Sequence, residues 1–255
     1  MRSPLAPRVA TAVAGTVAEL VAGGTSGVVL LGSQVRGDAH EHSDVDLMAL
    51  GTGADYMLRQ VQDLLMSVSW RTPDSVRASF ADPKTAGSAV PGWRSALVLH
   101  DADGVARALV DEACGWRWED IDAQRRRWIG AQVTGRAEIV HRLVGSLASG
   151  RRASAGMSRN KLATRLPVIA AVHHRILCDS EYRLYDLVAA QMGPAWQRSQ
   201  EAALALSGEP LQASCRAALE LYALLAPVVD EYLNADQHAV VAAAAELAWV
   251  AQSAA

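Results

Sequence analysis

A chain of 255 residues has room for two hydrophobic cores at roughly 100 to 200 residues per domain. Its 24 Lys and Arg stand against 27 Asp and Glu, a formal net charge of −3, so it lacks the basic excess by which proteins grip long nucleic acid through its phosphates. Three widely separated cysteines, Cys114, Cys178 and Cys215, exclude a disulfide framework or a cysteine zinc site and suit small core residues in a reducing cytosol.

The N-terminal segment is broken by Arg8, Thr11, Thr16 and Glu19, too often for a membrane span of about 20 apolar residues. Val9, Val13, Val17 and Val21 recur every fourth residue instead, which predicts an amphipathic helix closed by Gly23-Gly24. No signal peptide is read there, and the chain is expected to be cytoplasmic, without a membrane partner.

Two short apolar runs of strand length follow, Gly27 to Leu31 and Val45 to Leu50. Asp55 to Met66 reads as a helix, with Met57, Leu58, Val61, Leu64 and Leu65 on one face. Ser75 to Phe80 alternates, and ADPKTAGSAVPG, residues 81–92, reads as a loop. Ser95 to His100 is a further strand, and Asp103-Gly104 turns the chain into the helical stretch VARALVDEA. From about Trp118 onward strand signals cease, and helical segments break near Gly150 to Gly156, at Gly193-Pro194 and at Ser207 to Pro210. The expected fold class is therefore α+β. A first domain, residues 1–117, holds a small mixed sheet, and an all-helical domain, residues 118–255, follows it.

Between the first two strands lie Gly32-Ser33 and a polar loop, and the second strand carries Asp44-Val45-Asp46. In extended chain, alternate side chains share a face, so Asp44 and Asp46 project together. Two carboxylates so placed repel each other unless a cation lies between them, and Mg²⁺, completing its octahedron with phosphate oxygens, is the natural occupant. Gly32 lets backbone N–H groups approach an anion, while Ser33 adds a hydroxyl and opens a helical turn. Phosphate cradle and metal ligands side by side suit in-line attack on a nucleoside triphosphate.

LLGSQVRGDAHEHSDVDLMAL, residues 30–50, resembles the signature of the DNA polymerase β-like nucleotidyltransferases, in the branch of the antibiotic and minimal nucleotidyltransferases. That signature is an apolar strand, Gly-Ser, a loop, then Asp-x-Asp in a second strand; Arg36-Gly37 and Ser43-Asp44 are also carried by many members. The resemblance implies that Gly32 and Ser33 hold the β and γ phosphates, with Arg36 at the nucleotide, and that Asp44 and Asp46 bind two Mg²⁺ ions. Outside residues 28–50 the similarity is one of architecture, mixed α/β followed by helices, as in the kanamycin and lincosamide nucleotidyltransferases.

Members of that family usually carry a third carboxylate on a later strand. Asp74, Asp82 and Asp101 are candidates here, each more readily read as a turn or cap residue. Glu138 and Arg142, one turn apart in the helical stretch RRRWIGAQVTGRAEIVHRLVGSL, resemble a glutamate and basic residue that serve kanamycin nucleotidyltransferase as base and phosphate contact. They also read as an ordinary i,i+4 surface pair contributing about 0.3 to 0.5 kcal/mol. His40 and His42 could touch nucleotide or simply be solvated, and Lys161 could reach a triphosphate. Arg125 to Arg127 read as a solvated helix face, His173-His174 as packed histidines, and Trp116, Trp118 and Trp128 as core or as a stacking surface.

The function implied is transfer of a nucleoside monophosphate, AMP from ATP in the leading case, onto a hydroxyl of a small molecule such as an aminoglycoside or lincosamide, with release of pyrophosphate. Asp101, Asp103, Asp111, Glu112, Glu119, Asp120 and Asp122 crowd the domain boundary and would suit a polycationic acceptor. The alternatives are a toxin-antitoxin type nucleotidyltransferase acting on a protein or tRNA, and a non-catalytic nucleotide-binding regulator. The acceptor, the preferred nucleotide and the oligomeric state, a homodimer included, stay open.

Overall fold

The structure is a computed structural model that describes residues 5–253. Two compact units, Met1–Asp120 and Ile121–Ala255, divide the chain. The fold is α+β. In the first unit, α1 (Pro7–Ala22) precedes β1 (Gly27–Leu31), a four-residue turn α2 (Ser33–Arg36), β2 (Val45–Leu50), β3 (Tyr56–Val61) and β4 (Leu64–Arg71). Helices α3 (Pro73–Ala81) and α4 (Pro83–Ser95), strand β5 (Leu97–Asp101) and helix α5 (Val105–Gly115) complete it. The five strands form one mixed sheet in the order β3-β4-β2-β1-β5. Strand β1 lies antiparallel to β2 and β5, β2 runs parallel to β4, and β3 and β4 form an antiparallel hairpin.

The core of this unit forms where α1 meets one face of the sheet. Val9, Ala12, Val13 and Leu20 cluster with Val28, Leu30, Val45, Leu47, Leu64, Met66 and Val68. Val9 and Val13 lie inward as their spacing predicts, but Val21 is exposed. A helix advances 100° per residue, so a strict repeat of four drifts off the buried face, and Leu20 takes the last inward place.

Three segments differ from the sequence expectation. Residues 55–66 form no helix; they make β3 and the start of β4. Gln62 and Asp63, both at positive φ (49° and 62°), form a two-residue turn of the kind that matches strand twist. Met57, Leu58, Val61, Leu64 and Leu65 fit helical spacing by coincidence, for Leu64 is buried while Leu58 and Leu65 are exposed. The alternating Ser75 to Phe80 lies in α3, which begins where the Thr72 side chain accepts the Ser75 N–H at 3.2 Å and Pro73 takes the first helical position. Of the expected loop 81–92, Ala81 ends α3 and residues 83–92 lie in α4, capped by Asp82, which accepts the Lys84 N–H at 3.0 Å. Its internal Pro91 costs about 3 kcal/mol. Buried Ala86, Val90 and Trp93 on one face offset this, since a fully buried large apolar side chain contributes about 1.5 to 3 kcal/mol.

The second unit is helical: α6 (Asp122–Ala148), α7 (Arg152–His173), α8 (Glu181–Met192), α9 (Pro194–Ala203), α10 (Leu211–Leu225) and α11 (Ala235–Ser253), with a 3₁₀ turn, Ala226–Tyr232, before the last. Ile129, Val133, Val140 and Leu143 line the buried side of α6, and the Tyr222 hydroxyl donates to the Val133 carbonyl at 3.2 Å. Arg125 departs from the solvated face expected of residues 125–127. It is only 3% exposed, donates to Asp122 Oδ1 at 2.8 and 2.9 Å and to the His173 carbonyl at 3.1 Å, and lies over the Tyr232 ring. Among the cysteines only Cys215 is a core residue; Cys178 is half-buried and Cys114 exposed. Among the described residues no helix is long and apolar enough to cross a membrane.

Candidate active site

The antiparallel register of β1 and β2 pairs Leu31 with Asp46, so the residue after β1 falls beside that carboxylate. That residue is Gly32, at φ 74° and ψ −158°, a conformation open to glycine and strained for other residues. A Cβ at this position would stand 2.5 Å from Oδ2 of Asp46. The glycine is thus required twice, by its backbone angles and by the oxygen packed against its Cα.

Ser33 opens α2, where the amides of Val35 and Arg36 both bond to the Gly32 carbonyl at 3.2 Å. The amides that begin a helical turn have no acceptor four residues back, which leaves those of Ser33 and Gln34 suited to an anion. Gly37, at φ 84°, ends the turn. Gln34 Nε2 donates to the Asp44 carbonyl at 3.4 Å, tying the turn to the residue that enters β2. Arg36 pairs with Asp38 at 3.2 Å, and its charge also acts on Asp46.

Burial is the main cause that raises the pKa of Asp46; a hydrogen bond from Ser67 opposes it, Asp44 adds to it, and Arg36 lowers it. Ser67 lies opposite Asp46 in the parallel β2–β4 ladder and donates from Oγ to Oδ1 at 2.7 Å. This residue had no place in the sequence-based site. The period-2 run Leu64, Met66, Val68 marks β4 and puts Ser67 on the opposite face, but register with β2 cannot be read from one strand alone. Among the described residues, no three or more His, Cys, Asp or Glu side chains gather closely enough to hold a metal by themselves.

Gly32, Ser33, Arg36, Asp44 and Asp46 therefore converge in the first unit. The candidates for a third carboxylate are engaged elsewhere. Asp101 accepts the amides of Ala106 and Arg107 at 3.0 and 3.1 Å, at the start of α5. Asp82 caps α4, and Asp74 is paired with Arg77 at 3.3 Å. Other acids near the boundary are similarly committed. Asp103 accepts the Val105 amide, Asp120 the Arg117 amide, and Glu112 pairs with Arg77 at 2.8 Å, which holds its carboxyl below the usual range.

Glu138 and Arg142 belong to α6 of the second unit, where they form an i,i+4 ion pair with side chains 73% and 45% exposed. His42 pairs with Glu41 at 3.1 Å in a solvated loop. Lys161 is exposed on α7. His173 and His174 stack edge to face, 4.5 Å between ring centroids. Burial, aided by the neighbouring His174 and Arg125, lowers the pKa of His173 to about 4, and burial lowers that of His174. Trp116 and Trp118 are buried, with rings 5.1 Å apart at 70°, and Trp116 Nε1 donates to the Phe80 carbonyl at 3.0 Å. They are packed side chains. A cleft of about 600 Å³, lined by Tyr185, Asp186, Gln197, Gln200 and Glu201 among others, lies wholly within the helical unit and contains none of the converging residues.

No protein-family model matches the chain, and no curated protein matches it. Ten chains of known structure do. One is a nucleotidyltransferase-like protein from Exiguobacterium sibiricum, 14% identical, with a TM-score of 0.52 over 87% of this chain and 77% of that one. At that identity the likeness is one of fold: this chain is folded like a nucleotidyltransferase-like protein.

Proposed function

We propose that the protein is a Mg²⁺-dependent nucleotidyltransferase that moves a nucleoside monophosphate, AMP from ATP in the leading case, onto a hydroxyl of a small molecule. The observation that carries this reading is the contact between the Gly32 turn and Oδ2 of Asp46, which joins an anion cradle to a half-buried carboxylate. The residues fit the cation. Asp46 is costly to ionise in its buried place beside Asp44, a conflict that a bound divalent ion relieves, and hard oxygen ligands with phosphate completing the shell are what Mg²⁺ prefers. When bound, the ion neutralises the triphosphate charge that otherwise repels an incoming oxygen.

In this scheme the Gly32-Ser33 turn, through the amides of Ser33 and Gln34, and the Arg36 guanidinium hold the β and γ phosphates, and Asp44 and Asp46 orient the triphosphate. The acceptor oxygen forms a bond to the α phosphorus while the bond to the β-phosphate oxygen breaks, and pyrophosphate leaves. Glu138 takes the acceptor proton and Arg142 contacts phosphate, roles assigned by resemblance to the kanamycin enzyme.

The acceptor surface also has a chemical character. A row of paired residues, Asp46, Ser67 and Leu58, runs across β2, β4 and β3. On the same face Tyr56, Leu58 and Leu65 are 59%, 50% and 42% exposed. This apolar floor supports an acceptor with an apolar body, of lincosamide type, over a polycation, because Asp101, Asp103, Glu112, Asp120 and Asp122, among the acids that would attract a polycation, accept backbone amides or pair with arginines. The test is pyrophosphate release from ATP and Mg²⁺ with lincosamides and aminoglycosides as acceptors. Release that requires an acceptor is expected. Its absence with every acceptor would favour the non-catalytic nucleotide-binding role.

A further inference from the structure

We infer that Ser67 is the positioning residue of this metal site: its hydroxyl anchors Oδ1 of Asp46 and so fixes Oδ2 at the Gly32 turn as the oxygen offered to the cation. The inference rests on the metal-binding reading above and assigns a role to a residue outside its signature.

A carboxylate on a short side chain turns readily, because its terminal torsion is broad and roughly two-fold. Here both oxygens are fixed in place, and among the described residues only one of them carries a protein hydrogen bond. Oδ1 accepts the Ser67 hydroxyl at 2.7 Å, the short contact expected when the acceptor is charged, and Oδ2 lies where a Cβ on Gly32 would collide with it. Ser67 is itself 7% exposed and is held by strand pairing on both sides, to Asp46 on β2 and Leu58 on β4's other neighbour, β3. Its donor is therefore fixed by the sheet rather than by a flexible loop. The hydroxyl is neutral, so it orients the carboxylate without adding a charge to the Asp44–Asp46 pair. Ligating carboxylates are commonly held in this way by an outer hydrogen bond, and losing one typically costs about 10- to 100-fold in metal affinity.

The experiment is a Mn²⁺ titration of the full chain, followed by the electron paramagnetic resonance of free Mn²⁺, with a non-hydrolysable ATP analogue present. Ser67→Ala is expected to weaken Mn²⁺ binding by about 10- to 100-fold. Ser67→Thr, which keeps the hydroxyl and suits a strand, is expected to restore the wild-type value. A Ser67→Ala protein that binds Mn²⁺ as the wild type does would overturn the role of Ser67 alone. Should the alanine variant not fold, a folded Ser67→Thr variant with weakened Mn²⁺ binding would overturn it equally. Wild-type protein that binds no Mn²⁺ with the analogue would overturn the nucleotidyltransferase reading together with this one.

Discussion

Oδ2 of Asp46 occupies the space that a side chain on Gly32 would need, 2.5 Å from the ideal Cβ position. Gly32→Ala must therefore either displace the carboxylate or distort a backbone already at φ 74°. A non-glycine residue in such a region costs about 1 to 3 kcal/mol. Urea unfolding should register that loss, and titration with a non-hydrolysable ATP analogue should show weaker binding. Wild-type values in both measurements would remove Gly32 from the site.

Asp46 makes the metal-free protein sensitive to pH in an unusual direction. Burial raises its folded pKa above the ordinary aspartate value of 3.8, so its contribution to stability is greatest in acid, where it is protonated in both states, and is lost as pH rises through the folded value. Asp46→Asn is expected to raise the unfolding temperature of the metal-free protein at neutral pH, with the gain shrinking in acid. Mg²⁺ should then stabilise the wild type and not the variant. A variant less stable than the wild type at neutral pH would contradict this.

His173 has the opposite effect. Its folded pKa, about 4 against an ordinary 6.5, means that the neutral ring is favoured in the fold, where Nδ1 is buried without a partner and His174, Arg125 and Tyr232 lie around it. Stability present above pH 6.5 is lost as pH falls toward 4, on the order of 2 kcal/mol after allowing for partial solvent screening. Urea unfolding between pH 7 and 4 should be flatter for His173→Gln than for the wild type.

Glu138 separates a surface ion pair from a catalytic base. Its pairing with Arg142 on an exposed helix face contributes about 0.3 to 0.5 kcal/mol, so Glu138→Gln should leave the unfolding temperature almost unchanged. Turnover should nonetheless fall by about 10² to 10⁴, the usual cost of a lost general base. Wild-type turnover in that variant would return Glu138 to the surface-pair role.

The strand, the Gly-Ser turn and the Asp-x-Asp strand were legible because each is a local pattern: an apolar run, a glycine where only glycine fits, and carboxylates in alternation. The helical half was legible through its breaks at Gly193-Pro194 and Ser207 to Pro210. The β3–β4 hairpin was not, since its turn uses Gln62 and Asp63 at positive φ without the Asn-Gly or Asp-Gly that would announce it. Helix α4 was hidden by Gly and Pro, whose local cost is overcome by burying Val90 and Trp93. Ser67 became visible only through the parallel register that sets it against Asp46, a relationship between strands that lies outside any one segment. Arg125 was concealed for a similar reason. Asp122 is its neighbour on the same helix, but the partners that bury it, the end of α7 and Tyr232, lie about fifty and a hundred residues away in the chain, well outside local patterns.

Calorimetric titration of the wild type, Asp44→Asn and Asp46→Asn with a non-hydrolysable ATP analogue, with and without Mg²⁺, tests most directly whether a divalent ion links the two carboxylates to a triphosphate at Gly32-Ser33. The expected result is Mg²⁺-dependent binding in the wild type that both variants lose while remaining folded. Binding that is the same in all three proteins, or indifferent to Mg²⁺ in the wild type, would contradict it.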